Sequence, residues 1–284
     1  MSINPRRLFC FGLGYSAEAL ARRWLQRGWD VAGTARDAAR LAELEAMDIE
    51  AFPFDRDRRL PSGALEDVTH LLISVPPDAK GDPVLDMAET AIREALPELQ
   101  WIGYLSTTGV YGDHDGALVD EAVPVNPNAA RSRRRAEAEA RWQALGAHIF
   151  RLAGIYGPGR SALDDVRAGT AKRIVKSGQV FSRIHVEDIA TVLEASMNRP
   201  RPGAIYNVCD DEAAPSAEVV AHACALLGVE PPPEIPFEFA HLTPMALSFW
   251  ADNKRVSNRL MHEELGVRLA YPSYREGLKS LLPE

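Results

Sequence analysis

In the stretch FGLGYSAEAL (11–20), Gly12, Gly14 and Ala17 follow a short apolar run and open a segment of helical periodicity. Glycines at that spacing let the chain turn tightly and bring its backbone amides up to a pyrophosphate, whose charge is met by the N-terminus of the helix. Ala17 is small enough for close helix–strand packing, and Tyr15 and Ser16 fall inside the same turn. The spacing alone is weak. Its position between a strand and a helix makes these five residues candidates for dinucleotide binding.

The next apolar run ends in GTAR (33–36). A site for NAD usually carries an acid there to bind the ribose 2′-hydroxyl. Here Ala35 takes that place and Arg36 follows, so Arg36 reads as a partner for a 2′-phosphate or as a solvated turn residue. NADP(H) is the favoured cofactor and NAD(H) remains possible. Asp55, closing the third apolar run, reads as an acceptor for the adenine amino group or as the cap of its own turn. Val75, at the end of the fourth, is a further cofactor-side candidate.

These residues need a scaffold, and the periodicity supplies one. Strand-like runs at 7–14, 29–36, 49–55, 70–77, 100–112 and 147–157 alternate with helical segments at 16–28, 37–47, 82–96 and 132–146. Asp37 is placed as the N-cap of the second helix. Such alternation implies an α/β fold with a parallel sheet covered on both faces, and ligands in such sheets bind beyond the carboxyl ends of the strands. After residue 157 the pattern is less regular: a short strand leading into a helix at 183–198, a strand at 204–211, proline-rich turns and a helical C-terminal part.

Five segments, STTGVYG (106–112), RLAGIYGPGR (151–160), RIHVEDIA (183–190), IYNVCDD (205–211) and NKRVSNRLMHEELGVRLAYPSYREGL (253–278), occur in the order and spacing of one family. The chain resembles the extended short-chain dehydrogenases/reductases, the nucleotide-sugar epimerase/dehydratase group, over nearly its whole length. The resemblance implies a Rossmann-type doubly wound parallel sheet with a smaller C-terminal substrate lobe. It places the NAD(P)-binding domain at 1–152, with 180–209 returning to it, and the substrate side mainly at 153–284. It implies hydride transfer on a carbonyl or nucleotide-sugar-like substrate.

That family uses a Ser or Thr after the fifth strand and a Tyr-x-x-x-Lys on the next helix. The lysine lowers the tyrosine pKa and holds the ribose hydroxyls. Thr107 matches the hydroxyl position, with Ser106 and Thr108 as rivals. Counting AARSRRRAE (129–137) onto the helix puts Ala129 at the tyrosine and Arg133 at the lysine. No tyrosine lies between Tyr111 and Tyr156. Arg133 could still bind ribose, but arginine stays charged and joins no proton relay. Phe11 also stands where the family's first loop glycine would be. These departures resemble the atypical members, which keep the fold and lose the standard catalytic set; a cofactor-binding protein without turnover is the alternative. Tyr111 and Tyr156 border the nicotinamide in this family, although packing accounts for them as well. Gly154 would pass the nicotinamide by its backbone. His114 reads as a surface residue, and Arg183, His185 and Asp188 as structural.

With 284 residues, 46% apolar and 25% charged, the composition is that of a globular protein, and the net charge of −8 argues against nucleic acid as the main partner. Arg160, Arg167, Lys172, Arg173 and Lys176 nevertheless form a basic stretch, read either as a solvated face or as a surface for an anionic small-molecule substrate. Three cysteines without CxxC spacing argue against a zinc site or disulfide framework and for a reduced, cytoplasmic setting. No apolar run is long enough to span a membrane. The family often dimerises through the helices after the fourth and fifth strands, so a monomer or a homodimer is expected.

Overall fold

The computed structural model describes residues 6–283. The first half runs β1 (Arg7–Phe11), α1 (Tyr15–Leu25), β2 (Asp30–Ala35), α2 (Ala38–Glu45), β3 (Glu50–Pro53), β4 (His70–Ile73), α3 (Pro83–Ala95) and β5 (Trp101–Thr107). A 3-10 turn at Thr108–Tyr111 leads to β6 (Leu118–Val119), α4 (Ala130–Gln143), β7 (His148–Leu152) and β8 (Gly154–Tyr156). Then come α5 (Ala162–Arg167), β9 (Arg173–Val175), β10 (Arg183–His185), α6 (Val186–Asn198), β11 (Ile205–Val208) and α7 (Ser216–Leu227). The chain closes with β12 (Glu234–Pro236), α8 (Pro244–Trp250), β13 (Arg255–Val256), α9 (Arg259–Leu265) and α10 (Tyr274–Lys279).

Seven strands form one sheet in the order β11-β7-β5-β4-β1-β2-β3. The pairs β1–β2, β2–β3, β1–β4 and β4–β5 all run parallel. The fold is thus the doubly wound α/β sheet that the alternation implied. Its strands are apolar throughout because helices cover both faces: Leu8, Phe9, Cys10 and Phe11 of β1 are all fully buried, as are Leu71, Leu72 and Ile73 of β4. Phe9, Phe11, Ile73, Tyr104, Trp142 and Ile149 anchor the core on one side. Asp82 caps α3 by accepting from the Val84 and Leu85 amides, with Pro83 at the first helical position. Its other carboxylate oxygen accepts from the Trp142 indole at 2.8 Å. Asp37 stands at the N-cap of α2 as expected, yet its side chain accepts no capping bond.

By packing, the chain divides into two compact units. The first comprises residues up to Ser106, Arg133–Arg151 and Ala190–Tyr206; the second comprises Thr107–Ser132, Leu152–Ile189 and residues from Asn207 onward. The second unit is stitched by parallel two-stranded pairs, β8–β10, β9–β12 and β6–β13. Its core holds Tyr156, Leu163, Val219, Ala223, Tyr274 and Leu278. The Asp188 carboxylate accepts from the Ala270 and Tyr271 amides at 2.8 and 3.0 Å, which ties the C-terminal segment to α6. Among the described residues no helix is long and apolar enough to cross a membrane.

Candidate functional site

The first unit carries a cavity of about 660 Å³ at the carboxyl ends of β1, β2, β3 and β4, lined by Gly12, Gly14, Arg36, Asp55 and Val75 among others. Its floor is the turn between β1 and α1. Gly12 has φ of +82°, and a Cβ there would lie 2.8 Å from the Val75 side chain and 3.2 Å from its amide nitrogen. Only glycine fits that position. The turn is fixed from β2: the Gly12 amide donates to Thr34 Oγ1 at 2.8 Å and the Leu13 amide to the Thr34 carbonyl at 2.9 Å. Gly33 of β2 allows this approach, since a Cβ would meet Leu13 at 2.5 Å and the Cys10 carbonyl at 2.6 Å. Gly14 is the N-cap of α1, supplies no side chain, and has nothing within 4 Å of an added Cβ. The N-terminus of α1 thus carries no side-chain cap, which suits an anion at a helix N-terminus. Ser16 is largely and Ala17 wholly buried, so both pack the turn, whereas Tyr15 is half-buried.

At the rim, Arg36 is exposed and its guanidinium has no hydrogen-bond or ion-pair partner among the described residues. Asp55 lines the same cavity, but its carboxylate is engaged. It accepts from the Asp57 and Arg58 amides at 2.9 Å each and from the Arg58 guanidinium. That hydrogen bonding and charge hold its pKa below the usual carboxylate range. The structure adds Arg56, held by Asp78 and Asp86, to this lining.

Helix α4 is where the structure departs from the sequence frame. Its sheet-facing side carries Arg135, which donates to the Leu105 carbonyl at 2.7 Å, and Glu139, which is 5% exposed. Glu139 accepts from the Ser106 hydroxyl and from the Arg151 guanidinium at 2.8 Å. Arg133 and Glu137 lie two residues away, about 200° round the helix at 3.6 residues per turn, and both are exposed. The count that made Arg133 the inward cation is displaced by two residues. The buried positions are Ser132, Ala138, Glu139 and Trp142, with Arg131 and Arg135 half-buried beside them, and Ala129 precedes the helix.

The second unit carries its own cavity of about 430 Å³. Thr107, Thr108 and Ser132 give it hydroxyls, Gly154 gives backbone, and Phe181, Phe249 and Trp250 give an aromatic wall. Its charged members are Arg131, Arg183, Lys254 and Asp252. Thr107 Oγ1 accepts the Gly109 amide at 3.1 Å, which leaves its own proton free to donate. Lys254 Nζ donates to the Gly112 carbonyl at 2.7 Å and lies 3.7 Å from Asp252. Burial lowers its pKa against the opposing pull of Asp252 and Asp113. Arg183 donates to the Phe181 and Ala214 carbonyls at 2.8 and 3.0 Å. Close by in charge, the Asp210 carboxyl is 3% exposed and pushed up to about 8 by burial, despite Arg183.

Of the tyrosines, Tyr111 is fully buried, donates to Asn207 Oδ1 at 2.8 Å, and is not part of the cavity wall. Tyr156 does line it, with its hydroxyl on the Ser273 carbonyl at 3.3 Å and its pKa raised by burial. His185 packs between the Tyr156 and Tyr271 rings. His114 faces the Tyr111 carbonyl at 3.1 Å. In the basic stretch, Arg167 pairs with Asp164, Arg173 with Glu234, and Lys176 donates to the Trp250 carbonyl. Arg131, Lys254 and the aromatic wall were not found from sequence; they come from segments far apart in the chain, with no local spacing to mark them.

The cavity over a glycine turn and a helix N-terminus, on a parallel doubly wound sheet, defines a Rossmann-type protein. No protein-family model matches the chain. It is 29% identical to Protein YeeZ of Escherichia coli strain K12 over 283 residues, covering 94% of this chain and 97% of that one. To a 3-diazoavenalumate denitrifying reductase of a Streptomyces species it is 27% identical, covering 89% and 92%. The solved structure of a functionally unknown conserved protein from Silicibacter pomeroyi is 52% identical, covers 97% and 98%, and superposes with a TM-score of 0.91. NAD-dependent epimerase and dehydratase structures share the fold at 14–23% identity, with TM-scores of 0.68–0.76. The chain thus has the fold of the NAD-dependent epimerases and dehydratases, and its motifs resemble those of the extended short-chain dehydrogenases/reductases.

Proposed function

We propose that this protein is an NAD(P)H-dependent oxidoreductase acting on a small carbonyl compound, with NADP(H) as the preferred cofactor. The observation that carries the reading is the first-unit cavity, where a turn that admits only glycine leads into the uncapped N-terminus of α1 beside Arg36, whose guanidinium has no partner among the described residues. A dinucleotide bound there supplies a hydride. In this reading the first unit holds the cofactor, and the second unit, which takes Thr107–Ser132 from the N-terminal half, holds the substrate. Arg36 binds the 2′-phosphate. Thr107 hydrogen-bonds the substrate oxygen through its O–H and keeps its own proton. Lys254 supplies the one proton that completes reduction of a carbonyl to an alcohol, since the residue lines the second cavity and burial makes its ammonium a better acid. This assignment replaces the family tyrosine with a lysine.

A second reading, cofactor binding without turnover, is favoured by one observation: α4 has no tyrosine, and the Tyr111 hydroxyl is committed to Asn207. Titration with NADPH and NADH by nicotinamide fluorescence, followed by a carbonyl substrate panel read as cofactor oxidation, separates the two. Tight NADPH binding with oxidation supports the enzyme. Tight binding without oxidation across the panel favours the second reading, and binding of neither dinucleotide overturns both. Once a substrate is in hand, Lys254→Met should lower kcat by about 10²–10⁴, the usual worth of a positioned proton donor, with cofactor affinity unchanged. An unaltered kcat would remove Lys254 from the chemistry.

A further inference from the structure

The second-unit cavity holds three cations and one carboxylate, in a chain whose net charge is −8. Two of the cations are already answered. Lys254 has the Gly112 carbonyl and Asp252, while Arg183 has two backbone carbonyls and the charge of Asp210. Arg131 is not. Its guanidinium carbon sits 3.7 Å above the centre of the Phe249 ring, and no hydrogen bond or ion pair engages it among the described residues. Asp252 acts on it only as a more distant charge, and partial burial lowers its pKa. Stacking on an aromatic ring holds the planar fork in one orientation and leaves its N–H edge open.

We propose that Arg131 is the anchor for a carboxylate on the substrate, and that the substrate is an organic acid with an apolar, ring-containing body. A single unanswered guanidinium balances one negative charge, and its fork matches a carboxylate in a bidentate pair. A phosphomonoester or a nucleoside diphosphate would bring two or more charges to that one cation. The rest of the wall agrees with an apolar body: Ile155, Val180, Phe181, Phe249, Trp250 and Val256 line the cavity. Arg131 lies in the first turn of α4, one helical turn before Arg135, and both are half-buried. The inference rests on the reading of this cavity as the substrate site and adds the class of molecule that enters it.

The test compares 3-phenylpropionate with its neutral amide, 3-phenylpropionamide, by calorimetry on the full chain with NADP⁺ present; inorganic phosphate and UDP are the competing anions. The acid should bind at millimolar concentration or better, at least about tenfold more tightly than the amide, as expected for one charge-assisted pair. Arg131→Gln should remove that preference and leave amide binding as it was. Arg131→Lys should restore part of it, which a merely structural role would not do. Equal binding of acid and amide, an acid affinity untouched in Arg131→Gln, tighter binding of phosphate or UDP, or no binding of any probe would each overturn the proposal. NADPH fluorescence on parallel samples without NADP⁺ reads the first-unit cavity alone. Loss of NADPH binding with acid binding intact would therefore bring down the oxidoreductase reading and leave this one standing.

Discussion

The two cavities of this chain are made from different materials. The one in the first unit is built from backbone: a turn at Gly12, helix amides beyond Gly14, and neighbours whose contribution is to leave room. The one in the second unit is built from side chains: hydroxyls of Thr107 and Ser132, the cations Arg131 and Lys254, and rings of Phe249 and Trp250. A backbone site tolerates little variation, because the bound atoms are common to every residue and only conformation selects. A side-chain site can be re-equipped by substitution while the fold stays. The contrast fits a chain that keeps the glycine turn while α4 carries arginines and no tyrosine.

The strongest way to break that comparison is at Gly12. Gly12→Val removes no functional group, yet it forces a β-branched residue to φ of +82° and against Val75. Strain and overlap together should cost roughly 3 kcal/mol, and NADPH affinity should fall by roughly a hundredfold as the amides lose their aim. Carboxylate binding in the second unit should persist. If Gly12→Val binds NADPH like the parent, as read by fluorescence titration, the first cavity is not a backbone site.

The same contrast explains what could be read from sequence. Gly12, Gly14 and Ala17 lie within six residues, and their flanking strand and helix are strongly patterned, so fold and turn were both legible. The frame of α4 was not. RSRRR puts an arginine within reach of several frames, and Glu137 and Glu139 are equally placed two residues apart. Only burial of Glu139 against Ser106 and Arg151 decides between them. The second cavity gathers residues from 107–109, 131–132, 152–156, 180–183, 216 and 249–256. No window of sequence contains it. The strands β6, β9, β12 and β13 have two or three residues each and pair only with distant partners, below what alternation can reveal.

Acid should sharpen the comparison of the two units. His70 in the first unit and His185 in the second are both nearly inaccessible. Burial pushes each imidazole down to about 4, aided at His70 by Arg6 and opposed at His185 by Glu187. The unfolded chain takes these protons near the ordinary imidazole value of about 6.5. The stability conferred by keeping each ring neutral is therefore whole above 6.5 and lost as pH falls from 6.5 towards 4, by at most about 3 kcal/mol per histidine. Urea unfolding followed from neutral to mildly acidic pH should show the loss. His70→Asn and His185→Asn should each flatten part of the slope, and an unchanged slope in both variants would place the acid sensitivity elsewhere.

The smallest effect tests the one side chain that the backbone cavity employs. Arg36 is exposed at its rim and unpartnered, so its pairing with a 2′-phosphate would be partly screened by water. Arg36→Ala should weaken NADPH by about tenfold and NADH by much less, a difference near 1.4 kcal/mol. The difference should shrink as salt rises, because an exposed pair is screened within a Debye length. Equal losses for the two dinucleotides would mean that Arg36 shapes the turn without reading the phosphate. In that event Arg36 would contribute no cofactor selectivity, and the first cavity would be closer still to a pure backbone site.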